Sequence, residues 1–171
     1  MTKRSADDMA AAANGLNANH ALDKEHEAKP FSEVVKLPPS ALQGLGDRCD
    51  ELFGAFHIKT IADLAKWKHF LIARAIVVMA SKEEAGKRAA NNTSNMDKAV
   101  DKDYRGKSFS ELADSPPHAL MGLADWTDSV LKKMNITSIR KLGEFKYCLW
   151  AEALVQCAAS EATAAAGAAA G

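Results

Sequence analysis

The pattern of apolar and polar positions from residue 31 to residue 83 returns from residue 109 to residue 161. When the two stretches are laid on each other, 21 of the 53 positions are identical. The matches include turn-forming as well as apolar positions, among them Phe31/Phe109, Pro38/Pro116, Gly44/Gly122, Asp47/Asp125, Ile61/Ile139 and Leu64/Leu142. Matches at a constant displacement of 78 positions indicate that one supersecondary unit has been duplicated and that both copies share a fold. The sequence therefore predicts a tandem repeat.

Each copy has the spacing of several short helices. In the first copy, Pro38 and the proline after it suit the first turn of a helix, which we expect to reach Gln43. Two glycines end this helix, and Asp47 can cap a second one that reaches Phe56. The hydroxyl of Thr60 can cap a third. The fold class predicted from these signals is all-α.

The second copy repeats these signals with different residues. Ser108 and Glu111 have the spacing of a capping box, in which each side chain bonds the other residue's amide. Asp125 and Ser138 stand where Asp47 and Thr60 stood, so we expect them to cap the corresponding helices.

The last helix of each copy is apolar around most of its circumference. We expect these helices over Trp67 to Lys82 and Phe145 to Ser160, each buried on more than one side. Arg74 and Glu152 occupy equivalent places and are the only charges in the middle of the two helices. If the copies pack about a pseudo-twofold axis, these two side chains approach each other. The candidate interface between the copies, or with a partner, comprises Trp67, Phe70, Arg74, Phe145, Trp150 and Glu152.

These patterns divide the chain into five parts. Residues 1–29 are expected to be a disordered tail, because they contain few apolar residues, and removal of the first 27 should leave the thermal stability unchanged. Residues 30–84 form the first repeat and 108–161 the second. Residues 85–107 read as a flexible, exposed linker, and residues 162–171 as an Ala/Gly-rich tail.

Composition limits the classes of partner. Lysine plus arginine equals aspartate plus glutamate at 22 each, so no net charge draws the chain to nucleic acid or to an anionic membrane. Three cysteines, Cys49, Cys148 and Cys157, lack Cys-x-x-Cys spacing and are interpreted as reduced thiols. The sequence has neither a recognisable secretion signal nor a run of 18 apolar residues. We therefore expect a cytoplasmic protein with no membrane association.

One segment of the first copy resembles a known family. The run Leu42-Gln43-Gly44-Leu45-Gly46-Asp47, followed by the segment 57–64, is similar to the helix-hairpin-helix group of the SAM-like fold. The resemblance implies a compact unit of four or five helices that presents hairpin amides to a nucleic-acid phosphate, as a helix start does. The candidate phosphate-contact residues are Gly44, Leu45, Gly46, Arg48 and Lys59. The second copy departs from the family pattern because Ala124 replaces the second glycine. Both copies depart from it in the next residue, which is an aspartate.

No catalytic signature occurs in either copy. The sequence contains no phosphate loop, zinc signature, dinucleotide fingerprint or Ser-His-Asp spacing. We expect a protein that is not an enzyme and uses no cofactor or metal. The leading hypothesis is a protein-binding or scaffold protein that contacts a protein partner or a second copy of itself. The alternative is a weak, sequence-independent nucleic-acid-binding protein of the helix-hairpin-helix type.

Overall fold

The structure is a computed structural model that describes residues 14–162 of the chain. Its α-helices are α1 (Phe31–Val34), α2 (Arg48–Gly54), α3 (Ile61–Ala65), α4 (Lys68–Ala80), α5 (Phe109–Ala113), α6 (Asp125–Lys132), α7 (Ile139–Gly143) and α8 (Lys146–Ala159). Short 3₁₀ helices occupy Asn19–Ala21, Lys24–His26, Pro39–Ala41, Lys102–Tyr104 and Pro117–Ala119. The described residues form an all-α structure, as predicted. The predicted C-terminal tail beyond Ala162 and the first 13 residues lie outside the described range.

Three predicted helix caps are present. The Thr60 hydroxyl accepts a hydrogen bond from the Asp63 amide (3.1 Å), and the Asp63 carboxylate accepts one from the Thr60 amide (3.2 Å), so α3 begins with a capping box. Ser108 and Glu111 make the same reciprocal pair at the start of α5. Ser138 caps α7 through its hydroxyl. These short helices are therefore stabilised at their N-termini by their own side chains.

The predicted caps at Asp47 and Asp125 are wrong. Asp47 already has helical backbone angles (φ −55°, ψ −30°) and makes no side-chain hydrogen bond to α2. A capping side chain needs an extended backbone to reach the first amides of the helix. Asp125 is the first residue of α6 itself, and Ala124 precedes it. Its carboxylate can favour the helix start only through the helix dipole.

The helix expected from Pro38 to Gln43 is shorter than predicted. The turn is a 3₁₀ helix over Pro39–Ala41, and Leu42 then takes an extended conformation (φ −74°, ψ 133°). Leu42 leaves the helical path because it forms an antiparallel bridge with Leu22.

This bridge and an equivalent one in the second copy overturn two parts of the predicted domain layout. Leu22, expected in a disordered tail, is only 1% exposed and is flanked by two backbone hydrogen bonds of 2.8 and 2.9 Å to the chain around Leu42. Val100, expected in an exposed linker, is also 1% exposed and forms the equivalent bridge with Leu120. Each pair buries one apolar side chain from a largely polar segment. Because these segments are largely polar, their composition gave no sign that Leu22 and Val100 are buried.

The described elements recur with the displacement seen in the sequence. Adding 78 to the start of α1, α3 or α4 gives the start of α5, α7 or α8, and the two bridges are related in the same way. Below, the first half means residues 14–83, and the second half means residues 96–161.

The last helix of each half packs mainly on the opposite half. α4 packs against α7 and α5 of the second half, and α8 packs against α3 and α1 of the first half. The contacts of α4 become those of α8 when the halves are interchanged, as expected for an approximate twofold axis between them. The buried side chains of both halves join in one apolar core.

The crossing of α4 and α7 is close. A Cβ atom added to Gly143 would lie 2.7 Å from the carbonyl oxygen of Ala73, so only glycine fits there without displacing a helix backbone.

No helix within residues 14–162 combines the length and apolar character needed to cross a membrane.

Candidate interaction surface

The two last helices each have one buried and one exposed face. On α4, Phe70, Ala73 and Ile76 are buried, whereas Leu71 (38%), Val78 (53%) and Met79 (46%) are exposed. Exposed apolar residues at spacings of seven and eight positions lie on one side of a helix. The predicted burial on more than one side therefore fails for this side of α4.

The same division occurs on α8. Cys148, Ala151 and Leu154 are buried, and Leu149, at the place equivalent to Leu71, is 37% exposed. We call the exposed residues on the two helices the outer face: Leu71, Ala75, Val78 and Met79 on α4, and Leu149, Ala153, Gln156 and Cys157 on α8.

An ion pair joins the two helices beside this face. The Arg74 guanidinium contacts the Glu152 carboxylate, and the two side chains are 39% and 33% exposed. The sequence-based hypothesis that these side chains approach each other thus matches their position, but they are half-buried rather than buried. A pair this exposed contributes roughly 0 to 1 kcal/mol, because water screens it.

The ion pair lies next to both parts of the outer face. Arg74 lies at the edge between the buried and exposed sides of α4, and Glu152 lies at the equivalent edge of α8. Leu71 is three positions before Arg74 on α4, and Leu149 is three positions before Glu152 on α8, so each leucine is a surface neighbour of the charge on its helix. The ion pair therefore joins the two helices at the margin of the outer face.

A carboxylate at the end of each half ties it to the other. Glu83, just after α4, accepts hydrogen bonds from the amides of Phe109 (2.8 Å) and Ser110 (3.1 Å) at the start of α5. Glu161 does the same for the start of α1. These two acids were missed as functional contacts in the sequence, although they are an identical pair in the two copies. Their hydrogen bonds help to fix the positions of α4 and α8, the two helices that carry the outer face.

Of the four aromatic residues predicted for an interface between the copies or with a partner, Phe70 lies on the side of α4 that packs against the other half. Trp67 is buried beside Phe53 and Phe56 of its own half, with ring centroids 6.1 and 5.2 Å away. Phe70 is fully buried in the core. Phe145 and Trp150 are partly buried, and both stack edge-on against Tyr147. None of these four belongs to the outer face.

The candidate phosphate-contact hairpin is partly covered by the second half. Gly44 has φ +92°, as a turn glycine does, and a Cβ there would lie 2.7 Å from the Tyr147 hydroxyl of α8. Leu45 is buried, and its amide donates to the carbonyl of Leu42 (3.1 Å). The remaining candidates, Gly46, Arg48 and Lys59, are exposed.

The equivalent hairpin of the second half has a different neighbour. His69 of α4 lies against Gly122, and its Nε2 donates to the Met121 carbonyl oxygen (2.9 Å). Burial lowers the pKa of His69. Beside it lies a groove of about 500 Å³, with Trp67 and Leu123 among its apolar lining residues and Lys66 and Lys68 among its charged ones. Trp126 at this groove is 58% exposed and was missed in the sequence, where its equivalent in the first copy is Arg48.

Asp50 and Asp128 have a role that the sequence did not reveal. Asp50 accepts hydrogen bonds from the amide (2.9 Å) and hydroxyl (2.5 Å) of Ser40. Asp128 accepts from the amide of His118 (3.0 Å) and pairs with its Nδ1 (2.5 Å). Each carboxylate links a proline-containing 3₁₀ helix to the following α-helix. They are therefore explained as structural links within each half.

Possible metal ligands do not cluster in the described part of the chain. No group of three His, Cys, Asp or Glu side chains within residues 14–162 is placed to hold a metal ion. Cys148 is buried, which raises its pKa, whereas Cys157 is exposed. Burial is also the main cause of the raised pKa of Cys49. The two raised values disfavour the reactive thiolate form.

Comparisons with protein-family models, with curated proteins and with solved structures find no match to this chain.

Proposed function

We propose that this protein is a non-enzymatic binding or scaffold protein and that the outer face is its binding surface. The observation that carries the proposal is the exposure of Leu71, Val78 and Met79 on a helix whose opposite side is fully buried. Grouped apolar side chains at a rigid helix surface are typical of protein interaction sites. The helix-hairpin-helix character of the two halves and a cytoplasmic location remain parts of this proposal.

The buried contacts beneath the outer face support this choice of surface. α4 and α8 are held by the core and by the Glu83 and Glu161 hydrogen bonds, so their exposed sides do not need to rearrange before binding. Binding by a preformed surface avoids the free-energy cost of ordering it. A partner with an amphipathic helix would match the spacing of the exposed leucines, valine and methionine.

Affinity capture from native extract tests the proposal. The bait is the wild-type chain, compared with a Leu71→Asp/Leu149→Asp double variant and with Leu16→Asp. Leu16 is 71% exposed and is not part of the outer face, so the last variant makes the same chemical change elsewhere. We expect a protein retained by wild type and Leu16→Asp to be lost from the double variant. Its affinity is then measured with purified partner. Equal retention by all three baits would contradict the proposal.

The second candidate function is weak, sequence-independent binding of nucleic acid. The observation that favours it is the exposed Trp126 at a groove that also contains Lys66 and Lys68. An aromatic ring on which a base stacks, with cations for the phosphates, is the combination used by single-strand binding proteins. Against it stands the zero net charge of the chain, since cation–phosphate contacts dominate such affinity.

Fluorescence anisotropy with a labelled single-stranded oligonucleotide at low salt tests this second candidate. Stacking contributes about 1 to 3 kcal/mol per base, so Trp126→Ala should weaken binding by roughly 5-fold to 150-fold. Gly46→Asp places a carboxylate at the first hairpin and tests that site separately. Loss with Gly46→Asp alone would favour the hairpin over the groove, and no binding by wild type would exclude both.

A further inference from the structure

We infer that the partner on the outer face is a second copy of this chain, which makes the protein a dimer through α4 and α8. This inference rests on the proposed function, because it uses the same surface. Three features carry it: the matching positions of the apolar residues, the approximate twofold relation of the two helices, and the opposite charges of Arg74 and Glu152.

The outer face is similar to itself after a half-turn. Leu71 and Ala75 on α4 are matched by Leu149 and Ala153 on α8, at identical residue types. A second copy placed face to face therefore brings these leucines and alanines opposite one another, whereas Val78 on α4 has the polar Gln156 at its equivalent place on α8. A symmetric dimer needs such a self-complementary patch, since the same residues serve both sides of the interface.

The charges beside this face are also self-complementary. Arg74 and Glu152 occupy equivalent places with opposite sign, so a half-turn of the face places an arginine where a glutamate was. When α4 of one copy lies over α8 of the other, Arg74 of each copy meets Glu152 of the other. The four side chains then alternate in sign. Burying them in this arrangement leaves no charge without a partner, which favours this register over others.

The resulting interface consists of two helices from each copy. Each helix is about 20 Å long at 1.5 Å per residue, so the four helices form a small four-helix layer. A contact limited to the exposed sides of these helices is small, so we expect reversible association that depends on protein concentration.

Sedimentation velocity of the purified chain, from about 1 μM to about 200 μM, tests the dimer at the concentrations where a small interface associates. The wild type should shift from monomer to dimer across this range. Arg74→Glu should weaken association about tenfold or more, because the glutamate introduced in each copy then faces Glu152 of the other, and like charges in contact are costly. Glu152→Arg should weaken association to a similar extent, because four arginines would then meet at the interface.

Mixing the two single variants is the decisive experiment. In the 1:1 mixture, each glutamate of one variant meets an arginine of the other, so association should return to within about threefold of wild type, a difference of about 0.6 kcal/mol. Within each variant chain, residues 74 and 152 have the same charge, so recovery cannot come from the intrachain pair. Recovery on mixing therefore reports contact between two copies.

Other variants keep the result interpretable. Leu71→Asp/Leu149→Asp should be monomeric over the whole range, whereas Leu16→Asp should dimerise like wild type. Circular dichroism checks that each variant keeps its helices, and the double aspartate variant serves if a charge variant unfolds. A wild type that stays monomeric, or single variants that associate like wild type, or a mixture no stronger than its components, would overturn the dimer. In those cases the capture experiment with Leu71→Asp/Leu149→Asp still decides the proposed function separately.

Discussion

The carboxylate of Glu161 accepts a hydrogen bond from the amide of Phe31 (2.8 Å), 130 positions earlier in the chain. Glu83 accepts the equivalent bond from Phe109 (2.8 Å). Each half of the molecule thus supplies a negatively charged acceptor for the first helix of the other. The first amides of both helices have no acceptor within their own helix, and a carboxylate is a favoured acceptor there.

The first prediction concerns these two acids. Glu83→Gln and Glu161→Gln should each lower the melting temperature by a few degrees, because a neutral amide is a weaker acceptor than a carboxylate. Glu84→Gln is the matched control, an exposed neighbour with no such contact among the described hydrogen bonds. Thermal melts followed by circular dichroism give the comparison.

The same acids make stability depend on pH. Hydrogen bonds from the Phe109 and Ser110 amides lower the pKa of Glu83. Partial burial raises the pKa of Glu161, but the hydrogen bonds from Phe31 and Ser32 outweigh it and lower the pKa. A lowered folded-state pKa gives stability above the unfolded value of about 4.3 that is lost as the pH falls through the folded value. The difference between wild type and the double Gln variant should therefore shrink below about pH 4.3, and an unchanged difference would contradict the assignment.

The second prediction concerns the buried bridge residue of the first half. Leu22→Ala should reduce the free energy of unfolding by about 2 to 5 kcal/mol, because it leaves a cavity in the core. Leu16→Ala changes an exposed leucine and should stay within about 0.5 kcal/mol. Denaturant unfolding measures both. Removal of the first 27 residues should likewise destabilise the protein, contrary to the expectation from composition.

The third prediction concerns the close crossing of α4 and α7. Gly143→Ala should destabilise by roughly 1 to 3 kcal/mol, because its Cβ meets the backbone of Ala73, which cannot rotate away as a side chain can. Gly54→Ala is the control, since a Cβ there meets nothing within 4 Å. That variant should be neutral or more stable by up to about 1 kcal/mol. Equal effects of the two substitutions would show that the crossing is looser than described.

The fourth prediction uses the two equivalent links to the 3₁₀ helices. The hydrogen bond to Asp128 raises the pKa of His118, whereas Ser40 has no charge at the equivalent place. A raised folded-state pKa gives stability below the unfolded value of about 6.5 that is lost as the pH rises through the folded value. Wild type should therefore lose stability relative to His118→Ser as the pH rises above about 6.5, by less than about 1 kcal/mol at this partly exposed site. Parallel pH profiles for the two proteins would contradict the prediction.

Local signals in the sequence predicted local structure well. Thr60, Ser108 and Ser138 cap helices as expected, because a cap depends on residues within one turn. The cap predicted at Asp47 is wrong because this residue, which follows the glycine turn, already has a helical backbone conformation. A capping side chain needs an extended one. The backbone conformation at such a position depends on how the chain packs, so the residue type alone does not predict it.

The upstream limit of each copy could have been found. The run Ala21-Leu22-Asp23-Lys24 matches Ala99-Val100-Asp101-Lys102 with the same displacement of 78, and this match extends the repeat into the predicted tail and linker. A single buried residue in a polar segment gives no periodicity, so only the comparison of the copies contains the signal.

The outer face was not predictable from periodicity. The apolar circumference of α4 indicated burial on several sides, but the pattern cannot distinguish a side covered by the core from one left open to a partner. Phe70 and Val78 are both apolar, and only the packing of α5 and α7 on one side separates them. The approach of Arg74 and Glu152 was expected from their equivalent places, whereas their exposure depends on the spacing of the two helices.

The reciprocal packing of α4 and α8 means that neither half has a complete core by itself. The cover of α1 and α3 comes from α8 of the second half, and the cover of α5 and α7 comes from α4 of the first half. An isolated half would therefore expose the apolar side of its short helices, and two copies of one half could cover each other only by exchanging their last helices. Cleavage of the exposed connection between residues 84 and 95 should accordingly leave two fragments that refold only together.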